Sequence, residues 1–245
     1  MNILVCISHV PDTTAKIAFD AEGKALDSTG IQYIIGPYDD YALARAVELK
    51  TEHSGSITVL NVGEADTEPS LRKALAIGAD KGVRINAVPS DSLFVARQIA
   101  DFASKHSFDM ILMGRESIDF NGGVVHAMVG ELLGMPSVSP VMELTIEDSR
   151  AQMTREIEGG KERLSVPLPM VAGCQEPIAE WKIPNMRGIM MARKKPLDVI
   201  EPVDSPKVVN TIRFENMPAK SEVKLVEQDN LDELIDLLKN EAKVI

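Results

Sequence analysis

The segment Gly114-Arg115-Glu116-Ser117-Ile118-Asp119-Phe120-Asn121-Gly122-Gly123-Val124-Val125 has the residue types and spacing best suited to chemistry. It lies between an apolar run that ends at Met113 and a helical pattern that reaches about Leu133. A helix start leaves backbone N–H groups without partners, and these donors together with the helix dipole attract a phosphate. Gly122 to Val125 read as a phosphate cradle on this basis, although Asn-Gly-Gly is also an ordinary turn and cap. No Lys-Ser/Thr pair follows the glycines, so nucleotide hydrolysis of the P-loop kind is not implied.

Other residues converge on the same crevice if the chain winds as open α/β sheets do, with ligands at the carboxyl ends of strands. Cys6 lies at the first strand and Val62-Gly63 come after the second long one, while Gly36, Pro37, Tyr38 and Asp39 stand at the start of a helix that could close the pocket. Main-chain groups at such positions can read an adenine edge; the plainer reading is that they are loops. The four histidines show no ligand spacing, no GxSxG elbow is present, and the two cysteines, Cys6 and Cys174, are predicted to be buried reduced thiols. A further segment, Ile183-Pro184-Asn185-Met186-Arg187-Gly188-Ile189-Met190 continuing to Lys195-Pro196, joins a turn, an apolar knob and a basic run on an acidic chain. It reads as a partner-binding loop over residues 183–190 backed by a short helix, or alternatively as a buried loop with a solvated basic end.

The elements that must position these residues alternate β-branched runs with amphipathic stretches. Strands are predicted over residues 3–8, 56–61, 82–86 and 110–113, and helices over 39–50, 67–77 and 90–105. That alternation implies crossover connections and a doubly wound, mostly parallel α/β sheet. After Pro136 the texture changes to alternating segments at 142–147, 152–158 and 162–166, an added antiparallel β-element turning at Gly159-Gly160. Residues 1–195 then form a nucleotide-binding α/β domain with the 183–190 loop. Residues 196–245 form an extended C-terminal arm, with one helix over 230–242 that needs another chain to bury Leu231, Leu234, Ile235 and Leu238. A net charge of −11 over 245 residues excludes a phosphate-backbone binder, and nucleic acid is not an expected partner. No apolar run is long enough to insert in a membrane, and a cytoplasmic location is expected.

Several ordered stretches resemble the β subunits of electron transfer flavoproteins. They are Val5-Cys6-Ile7-Ser8-His9-Val10-Pro11-Asp12, Pro37-Tyr38-Asp39-Asp40-Tyr41-Ala42, Leu71 through Gly78-Ala79-Asp80, Gly114-Arg115-Glu116-Ser117-Ile118-Asp119, Arg155-Glu156-Ile157-Glu158-Gly159-Gly160 and Arg187 through Lys195-Pro196. A looser similarity to adenine-nucleotide α-hydrolase-like proteins, such as universal stress proteins, covers only the first two thirds of the chain. The family resemblance implies a heterodimer whose α subunit holds most of an FAD, while this subunit buries an AMP and has no catalytic turnover of its own. Electrons would come from dehydrogenases, such as acyl-CoA dehydrogenases, and pass toward a quinone reductase.

The AMP role carries over to Cys6, Gly36, Pro37, Tyr38, Asp39, Val62 and the segment Gly114, Arg115, Ser117, Asp119, Asn121, Gly122, Gly123, Val124 and Val125. Met186 occupies the place of an anchoring leucine in the loop that holds partner dehydrogenases. Glu156 matches the acidic residue that pairs with the flavin domain of the α subunit. The chain departs from the family pattern at Gly123-Val124-Val125, where many relatives carry Asn-Gln-Thr or Ala-Gln-Val, so backbone N–H groups must serve the phosphate. It departs also at Gly36, where an asparagine is common, and at Thr13, where some relatives place a tyrosine near the flavin. Two other functions compete: an electron-bifurcating form with a second FAD in place of AMP, and a stand-alone adenine-nucleotide-binding regulator.

Overall fold

The computed structural model describes residues 1–218 and 223–245; residues 219–222 of the expected arm lie outside the described residues. Among the described residues there are eleven strands, β1 (Asn2–Cys6), β2 (His9–Pro11), β3 (Tyr33–Ile35), β4 (Ser56–Val62), β5 (Lys81–Ile85), β6 (Met110–Gly114), β7 (Ser137–Glu147), β8 (Arg150–Ile157), β9 (Gly160–Pro167), β10 (Met170–Cys174) and β11 (Leu197–Ile200). The α-helices are α1 (Pro37–His53), α2 (Glu68–Ile77), α3 (Ser92–Ser104), α4 (Val125–Leu133), α5 (Met186–Ala192) and α6 (Leu231–Asp236).

Nine strands form one sheet in the order β11-β5-β4-β1-β6-β10-β7-β8-β9, and β2 and β3 form a separate antiparallel pair. Strands β11 through β7 are parallel, while β7-β8 and β8-β9 are antiparallel. The antiparallel element expected after Pro136 is therefore a continuation of the main sheet. Strand β7 makes the join, pairing with β10 through Ser137, Val138 and Val141 and with β8 from Val141 onward.

Strand pleating sorts the core onto two faces. Ile3 and Val5 of β1 pack with Leu43 and Leu49 of α1 and Leu71 and Leu75 of α2. Leu4 and Cys6 point the other way, to Ile99 and Phe102 of α3 and Val129 of α4. Burial on both faces is why these strands read as continuous apolar runs, and removing a side chain such as Leu43 would cost about 2–5 kcal/mol. The helix termini follow local chemistry. Asp39 and Asp40 occupy the first turn of α1, Asp91 accepts from Phe94 N to cap α3 at 2.8 Å, and Gly134, in the left-handed region at φ 63°, ends α4.

The chain divides into two compact units. One comprises residues 1–17 and 28–212 and holds the sheet; the other comprises residues 18–27 and 213–245. Residues 197–212, expected in the arm, belong to the first unit. β11 extends the sheet beside β5, and Val203 exchanges hydrogen bonds with the Gln98 side chain at 2.8 and 2.9 Å. In the second unit Phe19 stacks on Phe214 at 5.0 Å and Phe214 N donates to Gly23 O at 2.7 Å. The helix expected over 230–242 is α6 followed by a π-helical turn, Leu237–Glu241, with Leu231 and Ile235 exposed. No helix among the described residues is long and apolar enough to cross a membrane.

Candidate nucleotide crevice and partner surface

The chain leaves β1 for β4 and β5 on one side, then returns to lay β6 against the other side of β1. The connections diverge at the carboxyl ends of β1 and β6, the switch point at which open α/β sheets form their ligand crevice. Its organising residue is Asp39, in the first turn of α1. Oδ2 accepts from Ser8 N at 2.8 Å and from Ser8 Oγ at 2.5 Å, and Oδ1 accepts from Gly114 N at 2.7 Å. One carboxylate thus clasps the segment after β1, the start of α1 and the end of β6. Burial pushes the Asp39 carboxyl up to about 6, against the downward pull of the Ser8 and Gly114 hydrogen bonds.

Two glycines make room for this clasp. A Cβ on Gly36 would sit 2.4 Å from Ser8 Oγ and 2.5 Å from Asp39 Oδ2. A Cβ on Gly114 would sit 2.7 Å from both Asp39 Oδ1 and Tyr38 Cβ. The close packing around Asp39 accounts for glycine at 36. Cys6 and Val62 are buried in the α3–α4 side of the core, and burial, with the Asp39 charge second, pushes the Cys6 thiol up. Only their main-chain groups can serve a ligand.

Beyond β6 the Gly114–Val125 segment comes to the surface. Ser117 Oγ donates to Asp119, and Asn121 N donates to Ser117 O at 2.7 Å. Asn121 (φ 49°) and Gly123 (φ 58°) both lie in the left-handed region, which turns the chain into α4. Asn121, Gly122, Gly123 and Val124 are exposed, and no side chain caps α4. A Cβ on Gly122 would meet only Ser92 Oγ, at 3.4 Å. The first turn of α4 therefore presents backbone donors over open, glycine-lined space, an arrangement suited to a phosphate. His126 braces this turn from inside. It is buried, and burial pushes its imidazole down against the opposing pull of the Gly123 and Arg115 carbonyls.

Arg115 leads away from the crevice. Its guanidinium lies 4.8 Å from the centroid of the Tyr38 ring. Nη1 donates to Gln175 Oε1 at 2.9 Å, and Gln175 Nε2 donates to Glu156 Oε2 at 2.8 Å. Gln175 follows β10, and Glu156 is exposed on β8.

The segment 183–190 differs from the expected loop in where its helix begins. Asn185 Oδ1 accepts from Gly188 N at 2.8 Å and caps α5, so Met186, Arg187, Gly188, Ile189 and Met190 are helical, and only Ile183, Pro184 and Asn185 lie outside it. Ile183 (76% exposed), Met186 (75%) and Met190 (68%) stand in solvent, against the buried-loop alternative. The basic end is not simply solvated: Lys195 Nζ donates to Leu75 O at 2.9 Å and Ala79 O at 2.6 Å, closing the end of α2. Gly188 sits against α2, where a Cβ would lie 2.3 Å from Ala76 O.

Sequence reasoning missed Ser8, Asn61, His126 and Gln175. Asn61 ends the inward run of β4, donates from Nδ2 to Ile7 O at 2.9 Å and keeps a buried Oδ1 with no partner among the described residues. An amide in an otherwise apolar strand end was its one visible signal. No group of three or more metal-ligating side chains occurs among the described residues.

A model of the electron transfer flavoprotein domain matches residues 24–205. The chain is 35% identical to the electron transfer flavoprotein subunit beta of Bacillus subtilis, with 100% of each chain covered. It is 32% identical to that of Syntrophomonas wolfei, covering 100% of this chain and 98% of the relative. For the human subunit beta the identity is 28%, covering 100% and 99%.

Proposed function

The chain belongs to the electron transfer flavoprotein family as a β subunit, and from that premise we propose that it is an electron-carrier subunit that buries an AMP in the β1–β6 crevice. It pairs with an α subunit that holds most of an FAD, works in the cytoplasm, and performs no catalytic turnover of its own. FAD supplies the electron-carrying chemistry.

The observation that carries the nucleotide reading is the uncapped, exposed start of α4 at the divergence of β1 and β6. The residues present fit AMP. The α4 donors and Gly122-Gly123 would hold its phosphate, and main-chain groups near Cys6, Val62 and residues 36–38 would hold its base and ribose. Within that set Asp39 shapes the crevice, since both of its oxygens are engaged by Ser8 and Gly114. The exposed side chains of Ile183, Met186 and Met190 support docking of a dehydrogenase on α5, because a cluster of apolar knobs gains most from a partner's pocket. Glu156, exposed on β8, pairs with the flavin domain of the α subunit and holds one orientation of it. Electrons received from dehydrogenases go on toward a quinone reductase.

Co-expression with the α subunit tests the pairing. The two chains should purify as one species with a flavin spectrum. A β chain that is monodisperse alone, binds ATP and does not retain the α subunit would make it a free-standing nucleotide-binding regulator.

A further inference from the structure

We propose that Gln175 is the positioning residue for Glu156 and, anchored by Arg115, ties that carboxylate to the wall of the nucleotide crevice. The proposal rests on the reading above that Glu156 meets the flavin domain.

The direction of the chain is fixed by chemistry. A guanidinium can only donate and an ionised carboxylate can only accept, so the Gln175 amide must turn its oxygen to Arg115 and its nitrogen to Glu156. Both hydrogen bonds are charge-assisted, at 2.9 and 2.8 Å, and the amide is polarised in the same sense by the cation on one side and the anion on the other. Gln175 is 6% exposed and its own N donates to Val141 O at 3.0 Å, so the amide stands on fixed backbone between β10 and β7.

Arg115 is equally constrained. Its N donates to Cys174 O at 2.9 Å, its guanidinium covers the Tyr38 ring, and Nη2 reaches Glu116 at 3.2 Å. Tyr38 precedes Asp39, the clasp of the crevice. A contiguous set of contacts thus runs from the start of α1, across the end of β6, to an exposed carboxylate on the antiparallel part of the sheet. Glu156 commits Oε2 to Gln175, which leaves Oε1 for a donor on another chain. A glutamate already held in one rotamer gives up less side-chain entropy on pairing than a free one.

The experiment uses the αβ heterodimer, with the orientation of the flavin domain followed by small-angle X-ray scattering and with FAD and AMP counted per heterodimer. Glu156→Gln should shift the orientation equilibrium. Gln175→Met, close in volume but unable to bridge, should shift it in the same direction by about tenfold, the ratio sustained by one charge-assisted hydrogen bond. The double variant should go no further than the larger single change, with cofactor content unchanged throughout. If Glu156→Gln shifts the scattering and Gln175→Met does not, or if the two changes add, the positioning role is overturned while the reading of Glu156 stands. If Glu156→Gln shifts nothing, that reading fails and the proposal with it. Should Gln175→Met not assemble, Gln175→Glu decides, since it keeps an acceptor for Arg115 but sets a carboxylate against Glu156. The same shift supports the proposal, and unchanged scattering overturns it.

Discussion

Asp39→Asn isolates the clasp at the head of the crevice. Asp39 is 5% exposed, and burial raises the pKa of its carboxyl from the ordinary 3.8 to about 6 on folding. The folded chain therefore binds more protons than the unfolded chain between those two values. The stability this site contributes is complete below about pH 4 and is lost as pH rises through about 6, a fall of about 3 kcal/mol by pH 7. Asparagine does not titrate and so removes this dependence. It also sets an NH2 against Ser8 or Gly114, both of which donate N–H, at a cost of about 1–3 kcal/mol that does not vary with pH. Wild type should exceed the variant most at the acid end, and the gap should narrow by about 3 kcal/mol on going to pH 7. Denaturant unfolding followed by circular dichroism at a series of pH values measures this, with equal m-values as the check on comparability. A gap that stays constant from about pH 4 to pH 7 would refute the argument that burial overrides the three hydrogen bonds to Asp39.

Three further substitutions probe separate surfaces. Gly122→Val should abolish AMP retention without lowering the melting temperature appreciably, because its Cβ faces only Ser92 Oγ at 3.4 Å and fills the space where phosphate approaches; extraction of nucleotide from the purified heterodimer reads it. Met186→Ala should leave FAD and AMP bound and slow reduction by a partner dehydrogenase by roughly 5- to 30-fold, the loss of one contact of about 1–2 kcal/mol, seen in stopped-flow flavin bleaching. Gly188→Ala should destabilise the chain by about 1–3 kcal/mol, since its Cβ meets backbone that cannot yield, and the melting temperature reports it; an unchanged value would mean that α5 moves off α2 freely.

The parallel core was legible in the sequence because its strands are short apolar runs separated by amphipathic helices with recognisable starts and stops. Ser56–Val62 and Ser92–Ser104 fall within a few residues of their expected places. Strand β10 was not legible. Met170–Cys174 contains Ala and Gly, shows no alternation because it is buried on both faces, and follows a proline. The first half of β7 was hidden by Pro140, which reads as a loop but here lies where the strand changes from parallel to antiparallel partners. Of the crevice, the glycine-rich turn and the start of α1 were visible as local patterns. The role of Asp39 was not, because its contact with Gly114 spans 75 residues and nothing local distinguishes it from an ordinary first-turn acid. Gln175 was invisible for the same reason: its importance lies in two side chains, 60 and 19 residues away, which only the folded sheet brings to it.

The central claim is that this chain holds a nucleotide of its own while the flavin belongs mostly to its partner. Denaturing the purified αβ heterodimer and separating the released cofactors by chromatography tests it most directly. The account predicts one FAD and one AMP per heterodimer; two FAD and no AMP would contradict it and make the crevice a second flavin site of the electron-bifurcating kind.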